Sequence, residues 1–494
     1  MISGKNEASP LLSIRNPLNK IRRYFSTSSI IGRFFGKAKK TTLTLSCLQQ
    51  TAHTTSRNVC IGFVIALLSS AFIYLDYWDL SHPILTTLFG LTTLYLLLQE
   101  EQKTWFFSGF FSGLFWFWWI SVSFKHYNMI WAIPIGLMVI ALSYGILFWL
   151  IAWISQKVSS ILANIYVRWV HPPRSITPSK LKVGEPTLHE LIIKGTGLLV
   201  LSYIHPFGFD WFKPELMFVE SYLGIEKWQF FIILISITLA IWKKQLLYLV
   251  LILLAYQPLS ATLPNNDNSI QIITTHTSVK DKWNKSLHPA QFNALFKSID
   301  KAIDANKTLV ILPESVFPVF LNHSQELIDK LQERAKHISI VVGGLYWDGK
   351  TPRNSTYIFT NGKTSVANKV VLVPFGESNP LPDFLSNWVN KVFYDGAVDY
   401  KASKDVIDYQ IDENTYRNAI CFEATSEKLY EKNTKGERPK NMIALSNNGW
   451  FTPSIEPTQQ KLLLQYYSKK YGTTIYHAVN MSVSYVIRNG KVEK

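Results

Sequence analysis

The sequence predicts a multi-span α-helical membrane domain followed by an α/β layered domain. The composition is rich in apolar residues, with 48% hydrophobic and 14% aromatic side chains among 494 residues, which is unusual for a soluble enzyme of average charge. Long apolar runs occur only before about residue 260, and short β-branched runs alternate with helical stretches after it. We therefore expect three regions: residues 1–58, 59–261 and 262–494.

The first region, residues 1–58, is strongly basic. It contains ten Lys or Arg residues against the single acidic residue Glu7, so it carries +9 of the formal net charge of +16. The positive-inside rule keeps such a segment in the cytoplasm. We expect a disordered tail lying against lipid headgroups. Its composition also allows an organelle transit peptide, although no cleavage site is clear, and nucleic-acid binding by the tail is unsupported.

The second region, residues 59–261, contains the apolar runs. Residues 105–124 and 130–154 have no formal charge, and each is long enough to cross about 30 Å of hydrocarbon. Both are predicted transmembrane helices. Five further candidate spans bring the count to about seven: residues 59–75, 83–99, 191–204, 228–242 and 246–259.

The charges between these spans predict the orientation. Seven crossings from a cytoplasmic start place the last region outside, and acidic links should then face outward and basic links inward. The outward links contain Asp76, Asp79, Asp210, Glu215 and Glu220. The inward links contain Lys157, Arg168, Arg174, Lys180, Lys182, Lys243 and Lys244. We therefore expect a multi-pass protein of the bacterial inner membrane, with its last domain in the periplasm.

The third region, residues 262–494, has the pattern of an α/β domain. Predicted strands are short runs rich in β-branched residues: 269–273, 308–312, 338–342, 355–360, 370–373, 419–423, 442–446 and 475–478. Predicted helices are 289–305, 325–337 and 457–470. In such domains reacting groups gather where strands end and loops begin.

Three residues at predicted strand ends have the chemistry of a catalytic triad. Cys421 is the only cysteine of the third region, besides Cys47 and Cys60 earlier in the chain, so no disulfide can form within this region. A thiol is a poor nucleophile until a base removes its proton or a cation favours the thiolate. Glu314 is suited to the first task and Lys369 to the second. Each residue alone is more often structural: a buried cysteine, or a solvated or ion-paired charge.

Five motifs in order resemble the nitrilase, or carbon-nitrogen hydrolase, superfamily. They are Leu312-Pro313-Glu314, Asn368-Lys369, Leu372-Val373-Pro374-Phe375-Gly376-Glu377, Ile420-Cys421-Phe422-Glu423 and Asn447-Asn448-Gly449-Trp450-Phe451. Together with the preceding membrane half, they resemble the apolipoprotein N-acyltransferase family, over most of residues 59–494. Each motif alone would be a weak signal.

The resemblance implies an αββα sandwich and an enzyme that works by ping-pong acyl transfer. Cys421 would take an acyl chain from a phospholipid such as phosphatidylethanolamine and pass it to the N-terminal α-amine of a diacylated apolipoprotein. Glu314 would be the general base and Lys369 the oxyanion-stabilising cation, with supporting roles for Glu377 and Glu423. Implied substrate-binding residues are Trp283, Phe422 and Trp450.

The chain departs from the family pattern at several positions. Phe422 stands where the family often has Tyr, and Asn448 and Thr452 replace the more usual Asp and Gly. Many members continue to a final transmembrane helix, whereas here the sequence stops at Lys494. We expect either a tether on the N-terminal side alone or a shortened form.

Two other functions use the same residues. A membrane-anchored nitrilase-type amidase would pass the acyl group to water, and a non-catalytic membrane scaffold would use none of the chemistry. The eleven histidines show no trusted metal-ligand spacing, and no nucleotide-binding loop is evident, so we expect neither metal nor cofactor.

Overall fold

A computed structural model of the chain describes residues 41–170, 186–258, 268–378 and 400–493. Of the predicted tail, residues 1–58, the part up to residue 40 lies outside the described residues, as do Arg174, Lys180 and Lys182 of the basic link. Residues 41–58 are helical, contrary to the expected disorder. The chain divides into two compact units, Met1–Arg57 and Asn58–Lys494. The site described below belongs to the second unit, and so does the fold from Asn58 onward.

Helices form the first half of the chain. In the described part of this half the α-helices are α1 (Thr41–Tyr77), α2 (Pro83–Gln99), α3 (Gln102–Val122), α4 (Ile133–Val170), α5 (Leu188–Leu201) and α6 (Lys227–Lys243), and a 3₁₀ helix follows at Leu246–Ala255. Among the described residues, four helical stretches are long and apolar enough to cross a membrane: Thr54–Tyr77, Gln102–Tyr127, Ile130–Ala163 and Leu188–Gly208. The predicted multi-span membrane region is confirmed.

The remaining three predicted spans fall on helices of shorter reach. Helices α2 and α6 have 17 residues each. The last is a 3₁₀ helix of 10 residues and not the α-helix that we expected, so at about 2 Å per residue it covers only about 20 Å. Hydrocarbon is about 30 Å thick, and the count of seven crossings therefore stays a prediction.

Local sequence explains where several of these helices begin and how they pack. Pro83 occupies the first turn of α2, and Thr187 and Glu190 form a capping box at the start of α5. Helices α3 and α4 approach closely at Gly109, where a Cβ atom would lie 2.4 Å from the Tyr144 carbonyl oxygen. Small residues allow this approach between membrane helices.

The residues described in the second half, 268–378 and 400–493, form two six-stranded sheets. The first has the order β1-β2-β4-β5-β6, with β3 paired to β4, and the second the order β12-β11-β10-β9-β8-β7. Strands of the first sheet are β1 (Ile270–Ile272), β2 (Leu309–Ile311), β3 (Phe317–Phe320), β4 (Ser339–Trp347), β5 (Pro352–Thr360) and β6 (Lys363–Asn368). Those of the second are β7 (Asp408–Ile411), β8 (Asn414–Ile420), β9 (Asn441–Asn447), β10 (Thr474–Asn480), β11 (Tyr485–Arg488) and β12 (Lys491–Glu493).

The two sheets pack face to face between helices. A buried core between them includes Ile311, Val341 and Leu445. Helices α7 (His288–Asp304) and α8 (Gln325–Arg334) cover the first sheet, and α9 (Glu456–Tyr471) covers the second. The predicted αββα sandwich is confirmed.

Two predicted strands differ from the structure at places that matter for the site. Residues 370–373 form no strand, because the Val370 and Val371 N–H groups donate to the Glu423 carboxylate instead of a neighbouring strand. The predicted strand 419–423 ends at Ile420, and a short 3₁₀ helix follows at Cys421–Thr425. The prediction also missed five strands: β3, β6, β7, β11 and β12.

The sandwich packs directly on the membrane helices. Trp119 Nε1 of α3 donates to Gln459 Oε1 at 2.9 Å, and Lys461 Nζ lies 2.7 Å from Asp76 Oδ2. Tyr466 donates its hydroxyl to Glu215 Oε1 at 3.1 Å. Two predicted outward links, those of Asp76 and Glu215, therefore lie on the side of the membrane helices that faces the sandwich.

Candidate active site

The structure brings the predicted triad to one cavity. Glu314 lies three residues after β2, Lys369 directly follows β6, and Cys421 directly follows β8. All three line a cavity of about 530 Å³. Three chain segments that are far apart in sequence thus converge on one cavity, two from strands of the first sheet and one from a strand of the second.

Cys421 occupies a sharp turn between a strand and a 3₁₀ helix. Its φ of 52° lies in the left-handed region, a conformation that non-glycine residues adopt at a cost and that is frequent at active sites. The side chain is half-buried. Burial and the Glu314 carboxylate raise the pKa of the Cys421 thiol, while Lys369 lowers it. The resting thiol therefore needs a base to become a nucleophile.

Glu314 is a buried carboxyl, 8% exposed. Burial raises the pKa of Glu314, and the nearby Lys369 ammonium opposes that rise. Asn354 Nδ2 of β5 donates to Glu314 Oε1 at 2.7 Å. The backbone is held equally closely, because a Cβ atom on Gly343 would lie 2.6 Å from Glu314 Cα. The carboxyl is therefore fixed in place and able to exchange a proton.

Lys369 is 1% exposed, and its charge is balanced locally. Its Nζ lies 2.7 Å from Glu377 Oε2. Burial acts to lower the pKa of Lys369, but the Glu377 and Glu314 carboxylates raise it overall. Glu377 is itself held by the Val373 N–H at 2.9 Å and by Asn354 Nδ2 at 2.9 Å. The ammonium thus stays charged beside the thiol.

Glu423 is a buried carboxyl that binds two backbone segments and does not line the cavity. Its Oε2 accepts the Val370 and Val371 N–H groups at 2.7 and 3.0 Å, and its Oε1 accepts the Ile420 N–H at 2.8 Å. Burial raises the pKa of Glu423 to about 7, while Lys369 and the three N–H groups oppose that rise. One carboxylate thus joins the segment after Lys369 to the strand that presents Cys421.

The cavity continues from the triad into the membrane helices. Its walls there are mainly apolar side chains from the end of α3, the start of α4 and the segment 206–209. Two of the lining residues, Trp131 and Ile135, are 61% and 56% exposed. The cavity therefore reaches the outer surface of the membrane helices, which lipid covers in a membrane.

The three predicted substrate-binding aromatic residues lie in different places. Trp283 lines the cavity and is 43% exposed. Trp450 also lines the cavity, where its ring stacks on Tyr127 with centroids 5.9 Å apart. Phe422 does not line the cavity, contrary to expectation. It is 4% exposed and stacks on Phe209 at 5.4 Å, so it packs the turn behind the nucleophile against the membrane half.

Asn354 and Tyr400 lie at the site, and the sequence analysis did not identify them. Both line the cavity, and Asn354 bridges Glu314 and Glu377. The sequence does contain one signal, since residues 353–356 are four consecutive polar side chains that run into the predicted strand 355–360. A run of buried polar side chains in a strand needs partners, and Asn354 finds them in the two carboxylates.

The loop that departs from the family pattern, residues 448–452, is held by side-chain hydrogen bonds. Asn448 Nδ2 donates to Ser482 Oγ at 3.1 Å, and Thr452 Oγ1 donates to the Asn448 carbonyl oxygen at 2.8 Å. Both replacements therefore hold the loop that presents Trp450. Within the described part of the chain, no group of three or more His, Cys, Asp or Glu side chains is arranged to hold a metal ion.

Known proteins are similar in sequence to both halves of the chain. Residues 56–174 and 186–259 match the family described as apolipoprotein N-acyltransferase integral membrane domain. An apolipoprotein N-acyltransferase from Wolinella succinogenes is 37% identical over 438 residues, which cover 87% of this chain and 96% of that protein. Another from Campylobacter jejuni is 30% identical, covering 86% of this chain and 88% of that protein.

Solved structures with similar folds share little sequence with the chain. A CN-hydrolase superfamily protein from Xanthomonas campestris has 15% identity and a TM-score of 0.35, covering 46% of this chain and 84% of that one. An amidase from Nesterenkonia sp. AN1 has 11% identity and a TM-score of 0.34, covering 45% of this chain and 86% of that one.

Proposed function

The chain belongs to the apolipoprotein N-acyltransferase family, and from that premise we propose that it moves a fatty acyl chain from a phospholipid to a lipoprotein. The acyl chain would form a thioester with Cys421. It would then pass to the N-terminal α-amine of a diacylglyceryl-cysteine apolipoprotein, the final step of lipoprotein maturation. Phosphatidylethanolamine is the proposed donor.

One observation supports this proposal above the others. The cavity that contains Cys421 continues from the triad between apolar side chains of the membrane helices and reaches their lipid-facing surface. A two-chain phospholipid is scarcely soluble in water, because each buried CH₂ group favours an apolar surrounding by about 0.8 kcal/mol. Its acyl chain therefore has to reach the thiol from within the bilayer, and this cavity offers such a route.

The first half-reaction uses all three triad residues. Glu314 takes the proton from the Cys421 thiol, and the sulfur attacks the ester carbonyl carbon of the phospholipid. Lys369 stabilises the negative charge that develops on the carbonyl oxygen, an effect typically worth about 3 kcal/mol. The C–O bond then breaks, Glu314 returns the proton to the leaving oxygen, and a lysophospholipid departs.

The second half-reaction repeats these roles with a different nucleophile. The neutral α-amine of the acceptor attacks the thioester carbon, and Glu314 takes a proton from the amine nitrogen. The C–S bond breaks as the amide forms, and the Cys421 sulfur regains the proton from Glu314. Glu377 would keep Lys369 in place throughout. An apolar cavity around the thioester would limit hydrolysis by keeping water away.

The proposed orientation follows from charge. The basic residues before position 58 favour the cytoplasmic side for the N-terminus. The acidic links at Asp76 and Glu215 share a side with the sandwich. Both features support a periplasmic sandwich domain on the bacterial inner membrane.

Intact-mass spectrometry of the detergent-purified protein tests the proposal. After incubation with phosphatidylethanolamine, the wild type should gain the mass of one acyl group, and a diacylated lipopeptide should then remove it. Cys421→Ala should gain nothing. Cys60→Ala is the matched control, since Cys60 is an exposed cysteine on α1, and it should be acylated like the wild type.

Two results would point elsewhere. A folded wild type that forms no adduct contradicts the thioester and favours a scaffold. Continuous release of free fatty acid in the absence of the lipopeptide instead indicates an amidase-type hydrolase that passes the acyl group to water.

A further inference from the structure

A second lysine lies buried beside the triad and has no role in the mechanism above. Lys282 is 2% exposed, and its Nζ donates to the Glu314 carbonyl oxygen at 3.1 Å. Lysine side chains are almost never fully buried unless they are paired. Burial here therefore requires an explanation, and the contact is with the backbone of the proposed base.

The segment that contains Lys282 is itself fixed. It ends a helical turn, Val279–Lys282, that Ser278 caps by accepting the Asp281 N–H at 3.2 Å. His288 Nε2 lies 3.1 Å from the Lys282 carbonyl oxygen. The next residue, Trp283, lines the cavity. The segment thus connects the cavity wall to the peptide of Glu314.

We propose that Lys282 is a positioning residue for Glu314: it holds the Glu314 peptide through the carbonyl oxygen and supplies a second positive charge that keeps the carboxyl ionised. The proposal rests on the proposed role of Glu314 as the general base. Lys369 is then the cation beside the thiol and the oxyanion, and Lys282 adds a second, smaller positive influence on the base.

The backbone geometry around Glu314 supports a role for Lys282 in holding the Glu314 peptide. Gly343 of β4 lies so close below the peptide that a Cβ atom there would be 2.4 Å from the Ser315 nitrogen. Ser315 itself has a φ of 46°, in the left-handed region. A strained turn of this kind persists only when its surroundings hold it. Gly343 allows the close approach, and the Lys282 hydrogen bond restrains the carbonyl group.

Electrostatics support the effect of the Lys282 charge on the Glu314 carboxyl. Burial raises the pKa of Glu314, and both Lys369 and Lys282 oppose that rise. Burial also lowers the pKa of Lys282 to about 8, against the opposing effect of Glu314, so the ammonium is charged at pH 7. The titratable groups that interact with Glu314 from the elements around it are Lys282, Lys369, Glu377, Tyr400, Cys421 and Glu456.

The pH profile of kcat/KM for acyl transfer separates this role from a purely structural one. Removing a nearby positive charge raises the pKa of a carboxyl, by about one unit or more at short range. Lys282→Met should therefore move the acidic limb of the profile to higher pH. At pH 7 it should lower kcat by roughly 10- to 100-fold, as expected for the loss of a charged hydrogen bond. The KM for phospholipid should stay unchanged, because the cavity wall is intact.

Two further variants separate the charge from the hydrogen bond. Lys282→Gln keeps a hydrogen-bond donor without the charge, so its acidic limb should also move upward. Lys282→Arg keeps the charge, so its limb should stay at the wild-type pH. Lys194→Met is the matched control, since Lys194 is also 2% exposed and donates to two backbone carbonyl oxygens, but in the membrane half. Its acidic limb should match the wild type.

The outcomes are distinguishable from those of the proposed function. If a folded Lys282→Gln or Lys282→Met enzyme has the acidic limb of the wild type, the proposed role of Lys282 is overturned and the proposed function is not. If Lys282→Met does not fold, the Gln and Arg variants decide the same question. Absence of a Cys421 adduct in the wild type overturns the proposed function itself.

Discussion

Asn354 Nδ2 donates hydrogen bonds to two carboxylates, to Glu314 Oε1 at 2.7 Å and to Glu377 Oε1 at 2.9 Å. One amide therefore keeps two like charges apart in a buried site. Glu377 in turn pairs with Lys369 at 2.7 Å. Because the cation already has this partner, the Glu314 carboxylate is left to exchange protons with the thiol.

Glu377→Gln should nearly abolish acyl transfer. The amide keeps the shape but removes the charge that pairs with Lys369, so the buried ammonium would pair with Glu314 and remove the base. Breaking one side of a buried ion pair typically costs about 3 kcal/mol of stability. Steady-state kinetics and the thermal transition measure the two effects. Glu326→Gln, at an exposed pair with Lys330, should change neither. Wild-type rates in Glu377→Gln would contradict the pairing argument.

Asn354→Asp should be more damaging than Asn354→Ala. Alanine removes the shared donor and leaves Glu314 and Glu377 to repel each other, which raises the pKa of Glu314. Aspartate adds a third carboxyl to the same buried space. We expect the rate of adduct formation on Cys421 to fall by about 10-fold or more for Ala and further for Asp, as measured by intact-mass spectrometry in a single turnover. Equal rates for the two variants would show that charge separation is not the task of Asn354.

Ser143→Phe should weaken the use of long-chain phospholipids. Ser143 lines the cavity on α4 and donates to the Val139 carbonyl oxygen at 2.7 Å, so a phenyl ring there would occupy part of the acyl-chain space. We expect KM to rise for long-chain donors, while alkylation of Cys421 by a small reagent stays unchanged. Ser160→Phe is the matched control, since Ser160 is exposed on the same helix and makes the same kind of hydrogen bond, to Lys157. If both variants behave alike, the cavity is not the acyl site.

Glu456→Gln should stabilise the protein in a pH-dependent way. Glu456 is 2% exposed, and burial, followed by the Glu314 charge, raises its pKa to about 8. The folded state thus keeps a proton that the unfolded state has lost above about pH 4.5. The stabilisation from this carboxyl is complete below that pH and is lost as pH rises through 8.

Thermal transitions at several pH values measure this effect. The difference between Glu456→Gln and wild type should grow from about pH 5 to 8 and then level off. Glu413 is exposed, so the transition temperature of Glu413→Gln should change with pH in the same way as that of the wild type. A constant difference across this range would mean that Glu456 is charged in the folded protein at every pH tested.

Several features of this protein are determined by the sequence alone. Runs such as residues 105–124 indicate membrane helices because burial in lipid requires about 20 apolar residues in a row, which is a local property. The order of Glu314, Lys369 and Cys421, each near a β-branched run, indicated a shared site because reacting groups gather where strands end and loops begin. These inferences need only neighbours in sequence.

Only the tertiary structure decided which residues complete the site. Phe422 is adjacent to the nucleophile in sequence, yet it packs on Phe209 and does not itself line the cavity. Lys282 and Asn354 reach Glu314 from 32 and 40 residues away. Whether a strand residue faces the site or the opposite layer depends on strand register, since successive side chains alternate between faces. That register is set by pairing between distant segments, and pairing exists only once the chain has folded.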